Sequence, residues 1–315
     1  MKINNRLILI VVSSLFLLSS LLASCGNGEE AQETPTPTGQ NGGNSEGHSF
    51  MWEVSSDIST IYILGSIHVA DSDIYPLDST IENAFQQSDY LVVEFDTTMI
   101  DQNYLEQLII QKGVYLGSDS LQNHLPEDLY YRLDQEFQAL GLDISMFDPY
   151  KPWYVSTSLE SLKMEEYGYT SDNSVDLYFI NQAIENNIPI IELETADFQI
   201  ELLSSIPDDI TILSLQEFVN TPDIEEELNL MFDAWENGDV DGMRVFTFQA
   251  LDEYPELAPL YEVLFDDRNI QMTDKIEGFL KDEDTYFVTV GAGHLVGEKG
   301  IISLLEERGY QVEQI

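Results

Sequence analysis

Two histidines occupy the same kind of sequence context near opposite ends of the chain. Each follows a short apolar run and a glycine, in the motifs Gly65-Ser66-Ile67-His68 and Gly291-Ala292-Gly293-His294. Short apolar runs of this kind are typical of buried strands, which places each histidine just past a strand end. Neutral imidazole is a common metal ligand in proteins. The repeated pattern therefore predicts that His68 and His294 bind one metal ion.

Acidic residues follow two further apolar runs. Glu94 comes directly after Tyr90–Val93, and either Glu192 or Glu194 follows residues 188–191. Two imidazoles and a carboxylate suit Zn²⁺, Mn²⁺, Co²⁺ or Fe²⁺, and an open coordination position makes such a site catalytic in type. The ion can activate water and polarise a carbonyl group, and a spare carboxylate can act as general base. We expect Glu94 to complete the metal site.

Each of these residues also has a purely structural interpretation. His68 and His294 could be hydrogen-bonded histidines at strand ends, and Glu94 could cap a helix or pair with Arg268. Glu194 stands where a helix N-terminal cap is expected. Arg268 lies among carboxylates, so it could form a structural ion pair or hold a substrate. The sequence leaves these alternatives open.

The elements that position these residues are those of an α/β fold. A hairpin, a strand–helix–strand unit and further buried strands predict a central, mostly parallel sheet. Two long segments with helical periodicity, at about residues 98–170 and 196–282, are predicted to be helical insertions that form a cap. One helix is expected to begin at Asp172. Carboxyl ends of parallel strands meet at one sheet edge, where such folds bind ligands.

The first residues predict export and lipidation. Lys2 and Arg6 precede an apolar run over residues 7–22, which is typical of a secretory signal. The motif Leu22-Ala23-Ser24-Cys25 resembles the lipobox of bacterial lipoproteins, in which the cysteine is lipidated. We therefore expect an extracytoplasmic protein anchored to the cell membrane through Cys25. An uncleaved membrane anchor is the alternative.

Three regions follow from this interpretation. Residues 1–24 are predicted to be the signal peptide, residues 25–48 the lipidated cysteine and a flexible tether, and residues 49–315 the α/β domain. The tether is rich in glycine, asparagine and Thr-Pro repeats.

Composition excludes several classes of function. The chain carries 58 acidic and 12 basic residues, for a formal net charge of −46. Such a surface repels phosphate backbones, so nucleic acid is not an expected partner. It could attract cationic peptides or simply favour solubility in salt. A single cysteine allows neither an intramolecular disulfide nor a cysteine-ligated metal site.

Several motifs resemble those of the TraB/GumN family, in the same order over about residues 50–315. They include both histidine motifs, the first of them with Tyr75-Pro76-Leu77. The remaining ones are Leu91-Val92-Val93-Glu94, Lys151-Pro152-Trp153, Leu193-Glu194-Thr195 with Gln199, and Arg268-Asn269. The family includes membrane-tethered metalloproteases that depend on two Gly-x-x-His motifs and a glutamate.

The resemblance implies a fold similar to that of erythromycin esterase and the haem-binding ChaN proteins. It also implies that His68, His294 and Glu94 are metal-binding or catalytic residues, with Glu194 and Arg268 as further catalytic-site residues. It does not identify a substrate or choose among Mn, Co, Zn and Fe.

The function expected from the sequence is that of a surface-anchored, metal-dependent hydrolase, with a peptide or another small molecule as substrate. The preference for peptides rests on the family resemblance alone. Two alternatives stay open: a non-catalytic protein that binds or sequesters peptides, and an esterase on the same scaffold.

Overall fold

The computed structural model describes residues 48–221 and 224–315. In this part of the chain, six strands form one sheet in the order β4-β3-β5-β2-β1-β6. The strands are β1 (Met51–Ser55), β2 (Thr60–Ser66), β3 (Tyr90–Val93), β4 (Ile190–Glu192), β5 (Thr285–Gly291) and β6 (Gln311–Gln314). The mixed sheet and its helices confirm the α/β fold with helical insertions.

The centre of the sheet is parallel, as its buried apolar strands predict. Strand β5 pairs in parallel with β2 on one side and with β3 on the other, and β3 pairs in parallel with β4. Strands β1 and β2 form the expected antiparallel hairpin. In this register Thr289 lies opposite both Leu64 and Val93. The carboxyl ends of β2, β3 and β5 therefore meet at one edge.

Most of the helices lie in two long connections. Helix α1 (Ser79–Gln86) joins β2 to β3. Between β3 and β4 lie α2 (Gln102–Gly113), α3 (Glu127–Ala139), α4 (Pro152–Glu166) and α5 (Val175–Asn186). Between β4 and β5 lie α6 (Ala196–Ser205), α7 (Asp208–Asn220), α8 (Ile224–Glu236), α9 (Val240–Glu253), α10 (Ala258–Tyr261) and α11 (Asp267–Phe279). Helix α12 (Ile301–Glu307) leads to β6.

The start of α5 differs from the sequence-based expectation. Asp172 lies in a separate 3₁₀ turn, and the α-helix begins at Val175. The physical reason is the cap: the Ser174 hydroxyl accepts a hydrogen bond from the backbone N–H of Leu177. The difference brings Asp176 into the first turn of the helix, where its side chain is buried.

Two hydrophobic cores stabilise the domain. The larger one surrounds the sheet. The smaller one joins residues of the helical insertions to Phe95, the residue that follows Glu94, and includes Trp153, Ile200 and Phe265. The Phe265 ring lies 5.3 Å from the His294 ring, so this second core packs directly beside the second histidine motif. Within the described ranges, no helix has the length and apolar character needed to cross a membrane.

Candidate metal site

His68 is held at the carboxyl end of β2 by a buried carboxylate. Its side chain is buried, and its Nδ1 lies 2.7 Å from Oδ2 of Asp176. A carboxylate accepts hydrogen bonds, so Nδ1 carries the hydrogen and donates it to Asp176. The other ring nitrogen, Nε2, then faces Glu94, with its Oε1 at 3.8 Å. Metal-binding histidines commonly donate the hydrogen of their other ring nitrogen to a carboxylate in this way.

Gly65 has a packing role in this motif. A Cβ at this position would lie 2.4 Å from Cδ1 of Phe50 and 3.1 Å from Cα of Ala292. Glycine therefore permits the close approach of this strand to Phe50 and Ala292. The backbone here is also tied to α8, because Nε1 of Trp235 donates a hydrogen bond of 2.6 Å to the Gly65 carbonyl oxygen.

His294 is fully buried in a short 3₁₀ turn that follows β5. Its Nδ1 lies 2.6 Å from Oδ1 of Asn269, whose Nδ2 donates to the carbonyl oxygen of Lys299 at 2.9 Å. The second bond sets the orientation of the Asn269 amide, so Oδ1 must accept the hydrogen from Nδ1. In the neutral ring Nε2 of His294 then lacks a hydrogen, and among the described residues it has no hydrogen-bond partner.

The protonation state of His294 favours metal binding. Burial is the main cause that lowers its pKa well below the ordinary value of 6.5, and the nearby Arg268 and His68 act in the same direction. The imidazole is therefore neutral at physiological pH. A buried, neutral nitrogen without a partner is an unusual feature, because such atoms normally form hydrogen bonds.

Glu94 lies between the two imidazoles. Its Oε1 is 3.8 Å from Nε2 of His68 and 3.8 Å from Nε2 of His294, and it accepts a 2.8 Å hydrogen bond from the Gly291 backbone N–H. Its Oε2 accepts hydrogen bonds from Arg268 and Gln199, at 2.6 and 3.0 Å. Burial raises the pKa of Glu94, and the Arg268 guanidinium opposes this effect.

Arg268 joins two carboxylates at the base of the site. Its Nη2 donates to Glu94, and its Nε and Nη2 each donate a 2.8 Å bond to Glu194. Its side chain is completely buried. Of the two roles that the sequence left open, the structure thus shows the ion pair. Gln199 also donates to Glu194, at 3.0 Å, which closes the network. Glu192 lies outside it, with Oε1 accepting from the backbone of Asp96.

The donor set fits a divalent cation in its chemistry. The site contains three carboxylates and one guanidinium: Arg268 pairs with Glu94 and Glu194, and Asp176 accepts from His68. A divalent ion would balance the excess negative charge. Nε2 of His294 supplies a ligand atom that has no hydrogen-bond partner within the described part of the chain. We conclude that the residues present fit such an ion.

The nitrogen and oxygen atoms of the candidate ligands lie slightly farther apart than they would around a bound metal ion. Ligand atoms at the usual metal distance of about 2.1 Å in a tetrahedral site lie about 3.4 Å apart. The two nitrogen-to-oxygen distances of 3.8 Å exceed this value by a few tenths of an ångström. Accordingly, across residues 48–221 and 224–315 no group of three or more histidine, cysteine or acidic side chains meets the geometry of a bound ion.

The remaining sequence-based assignments lie elsewhere. His124 is partly exposed, bonds to Asp119 at 2.9 Å and stacks on Tyr115. Cys25 lies outside the described residues. Sequence reasoning missed Asp176, for which the signal was an acidic residue next to apolar ones in the first turn of the helix. Asn269 belongs to a motif that carries the family resemblance, but no role was predicted for it.

Comparison with known proteins shows which sequences this chain resembles. The sequence model of the TraB/PrgY/gumN family matches residues 50–314. The chain is 24% identical over 249 residues to the Escherichia coli protein named uncharacterized protein YbaP, covering 78% of this chain and 87% of that protein. It is 21% identical to metalloprotease TIKI1 of Xenopus tropicalis, covering 96% of this chain and 69% of that protein. Human metalloprotease TIKI1 is 20% identical, with 85% and 62% covered.

Proposed function

Because the chain belongs to the TraB/PrgY/gumN family, we propose that it is a metal-dependent hydrolase that cleaves peptides. Relatives named metalloproteases support this proposal, although they are only 20–21% identical. The family membership indicates a metalloprotease-like protein, and the substrate class is our inference.

One observation carries the proposal. Two histidines from distant strands direct Nε2 towards the same oxygen of Glu94, and a hydrogen-bond acceptor fixes the other nitrogen of each ring. Two imidazoles whose Nε2 atoms are directed at one carboxylate oxygen, while an acceptor fixes Nδ1 of each ring, form the arrangement expected of metal ligands.

In this proposal His68, His294 and Glu94 hold the ion. When bound, a divalent metal would lower the pKa of its water and polarise a peptide carbonyl. Asp176 and Asn269 keep the two imidazoles in the tautomer that offers Nε2. The Arg268–Glu194 pair positions the Glu94 carboxylate, since Arg268 donates to both glutamates. We therefore assign Arg268 and Glu194 a positioning role rather than proton transfer.

A peptide-library cleavage screen tests this function. We expect mass spectrometry to detect cleavage by the purified protein in the presence of Mn²⁺, Co²⁺ or Zn²⁺, and loss of cleavage on addition of a chelator. His294→Ala should abolish activity, because it removes a buried ligand nitrogen. His124→Ala is the matched control, since this histidine lies on the surface. Equal cleavage by wild type and His294→Ala would contradict the proposal.

A non-catalytic, peptide-binding protein is the second candidate. The observation that favours it is the occupied state of Glu94, whose two oxygens already accept hydrogen bonds from Arg268, Gln199 and the Gly291 backbone. Peptides retained on the immobilised protein but never cleaved, with or without metal, would support this candidate. Hydrolysis of ester substrates but not of peptides would instead indicate an esterase.

We also propose that the domain is displayed outside the cytoplasm on a lipid anchor. The lipobox-like motif before Cys25 and the apolar run that precedes it support this proposal. Metabolic labelling with a radioactive fatty acid should label the wild type but not Cys25→Ala. Equal labelling of the two proteins, or of neither, would contradict it.

A further inference from the structure

A groove separates the outer faces of helices α8 and α9. It has a volume of about 600 Å³ and is distinct from the proposed metal site. Its apolar lining comes from Leu230, Ala234, Val245 and Phe246. Leu230 and Val245 are 43% and 41% exposed, which places them among the large exposed apolar side chains of the domain. Apolar surface gathered in a concave site is characteristic of ligand binding.

The remaining lining residues give the groove an acidic character. Four carboxylates line it, and these belong to Glu227, Asp233, Asp239 and Asp241. No lysine or arginine is among the lining residues. Carboxylates around an apolar depression favour a ligand that carries positive charges next to apolar side chains.

We propose that this groove binds a cationic, amphipathic peptide segment of another protein. Charge complementarity selects this occupant over a second copy of the chain. The protein has only 12 basic residues, and nowhere in the sequence do two of them lie within three positions of each other. A second copy therefore offers no basic segment to the acidic rim.

The location of the groove connects it to the proposed metal site. Helix α8 donates the Trp235 hydrogen bond to Gly65, in the first histidine motif. Helix α9 packs against the second motif, where a Cβ on Gly293 would lie 3.2 Å from Cγ2 of Thr247. The groove occupies the other faces of these two helices. The groove can therefore hold a part of the peptide that is distant from the cleaved bond. This role rests on the proposed function, whereas binding of the peptide to the groove does not depend on it.

Fluorescence anisotropy with a designed peptide tests the binding. The probe is a fluorescein-labelled heptapeptide in which lysine alternates with leucine or alanine, and a chelator is present so that the metal site has no influence. We expect saturable binding to the wild type. Two control peptides, one with glutamate in place of lysine and one with serine in place of the apolar residues, should bind at least about tenfold more weakly.

Matched variants separate the groove from the general acidity of the surface. Asp233→Asn combined with Asp241→Asn should raise the Kd about tenfold, equivalent to about 1.4 kcal/mol, because two exposed charge pairs with the peptide are lost. Glu106→Gln combined with Glu185→Gln removes the same charge from α2 and α5, where both residues are exposed, and should change the Kd less than about twofold.

Replacement of an apolar lining residue completes the test. Leu230→Ser should weaken binding about fivefold without unfolding the protein, because the side chain is already 43% exposed. Equal weakening by both charge-removing double variants would overturn the proposal. So would a dimer in size-exclusion chromatography that Leu230→Ser dissociates, because the groove would then be an interface between copies.

Discussion

The hydrogen bond between His68 and Asp176 provides a sensitive test of the proposed metal site. Asp176 is buried, and its Oδ2 accepts the Nδ1 hydrogen of His68 at 2.7 Å. Asp176→Ala removes the acceptor, which frees the imidazole to rotate or change tautomer. Loss of such an orienting partner typically lowers metal affinity 10- to 100-fold, equivalent to about 1.4–2.7 kcal/mol. Asp176→Asn keeps an acceptor oxygen but removes the charge, so we expect a loss near the lower limit.

Isothermal titration calorimetry with Mn²⁺, Co²⁺ and Zn²⁺ measures this loss. Asp172→Asn is the matched control, because Asp172 is an exposed aspartate only four positions away and lies outside the site. The order of affinities should be wild type and Asp172→Asn, then Asp176→Asn, then Asp176→Ala. Circular dichroism must show that each variant is folded, since an unpaired buried N–H costs about 1–3 kcal/mol. Equal affinity of wild type and a folded Asp176→Ala would refute the reasoning.

Three further predictions concern stability. Burial raises the pKa of Glu160 from 4.5 to about 8, so the contribution of this carboxyl to the stability of the fold is highest below pH 4.5, where it is neutral, and decreases as the pH rises towards 8. In urea denaturation, Glu160→Gln should therefore raise the free energy of unfolding by about 2 kcal/mol more at pH 7 than at pH 5. An equal gain at both pH values would contradict this prediction. Gly65→Ala should cost about 1–3 kcal/mol by the same measurement, because the new methyl group overlaps the Phe50 ring, and an unchanged stability would show that the ring moves freely. Trp235→Phe leaves the buried Gly65 carbonyl oxygen without its indole donor and should lower the melting temperature by an amount equivalent to about 1–3 kcal/mol. Trp52→Phe is the control and should have a smaller effect, because it removes no hydrogen bond to this motif.

The arrangement of the three proposed ligands could be predicted from the sequence because it depends on strand ends. His68, Glu94 and His294 each follow a strongly apolar run, and parallel pairing brings the carboxyl ends of such strands to one edge. Each motif carries this signal locally, so distant residues could be grouped without knowledge of their contacts.

The hydrogen-bond partners of these residues could not be predicted in the same way. Asp176 lies 108 positions from His68, and their contact depends on how α5 packs against the sheet. Burial also decided the role of Arg268, since its guanidinium is completely buried and pairs with two glutamates. The predicted start of α5 was wrong by a few residues because aspartate and serine are both good helix caps. In the structure the Ser174 hydroxyl is the group that accepts from the backbone N–H of Leu177.

The central claim is that His68, His294 and Glu94 bind one metal ion, and anomalous X-ray diffraction tests it most directly. Crystals grown with Mn²⁺, Co²⁺ or Zn²⁺ should show an anomalous peak about 2.0–2.2 Å from Nε2 of both histidines and from a Glu94 oxygen. The 3.8 Å separations should contract by a few tenths of an ångström around the ion. Peaks at surface carboxylates, with none between the two imidazoles, would contradict the claim.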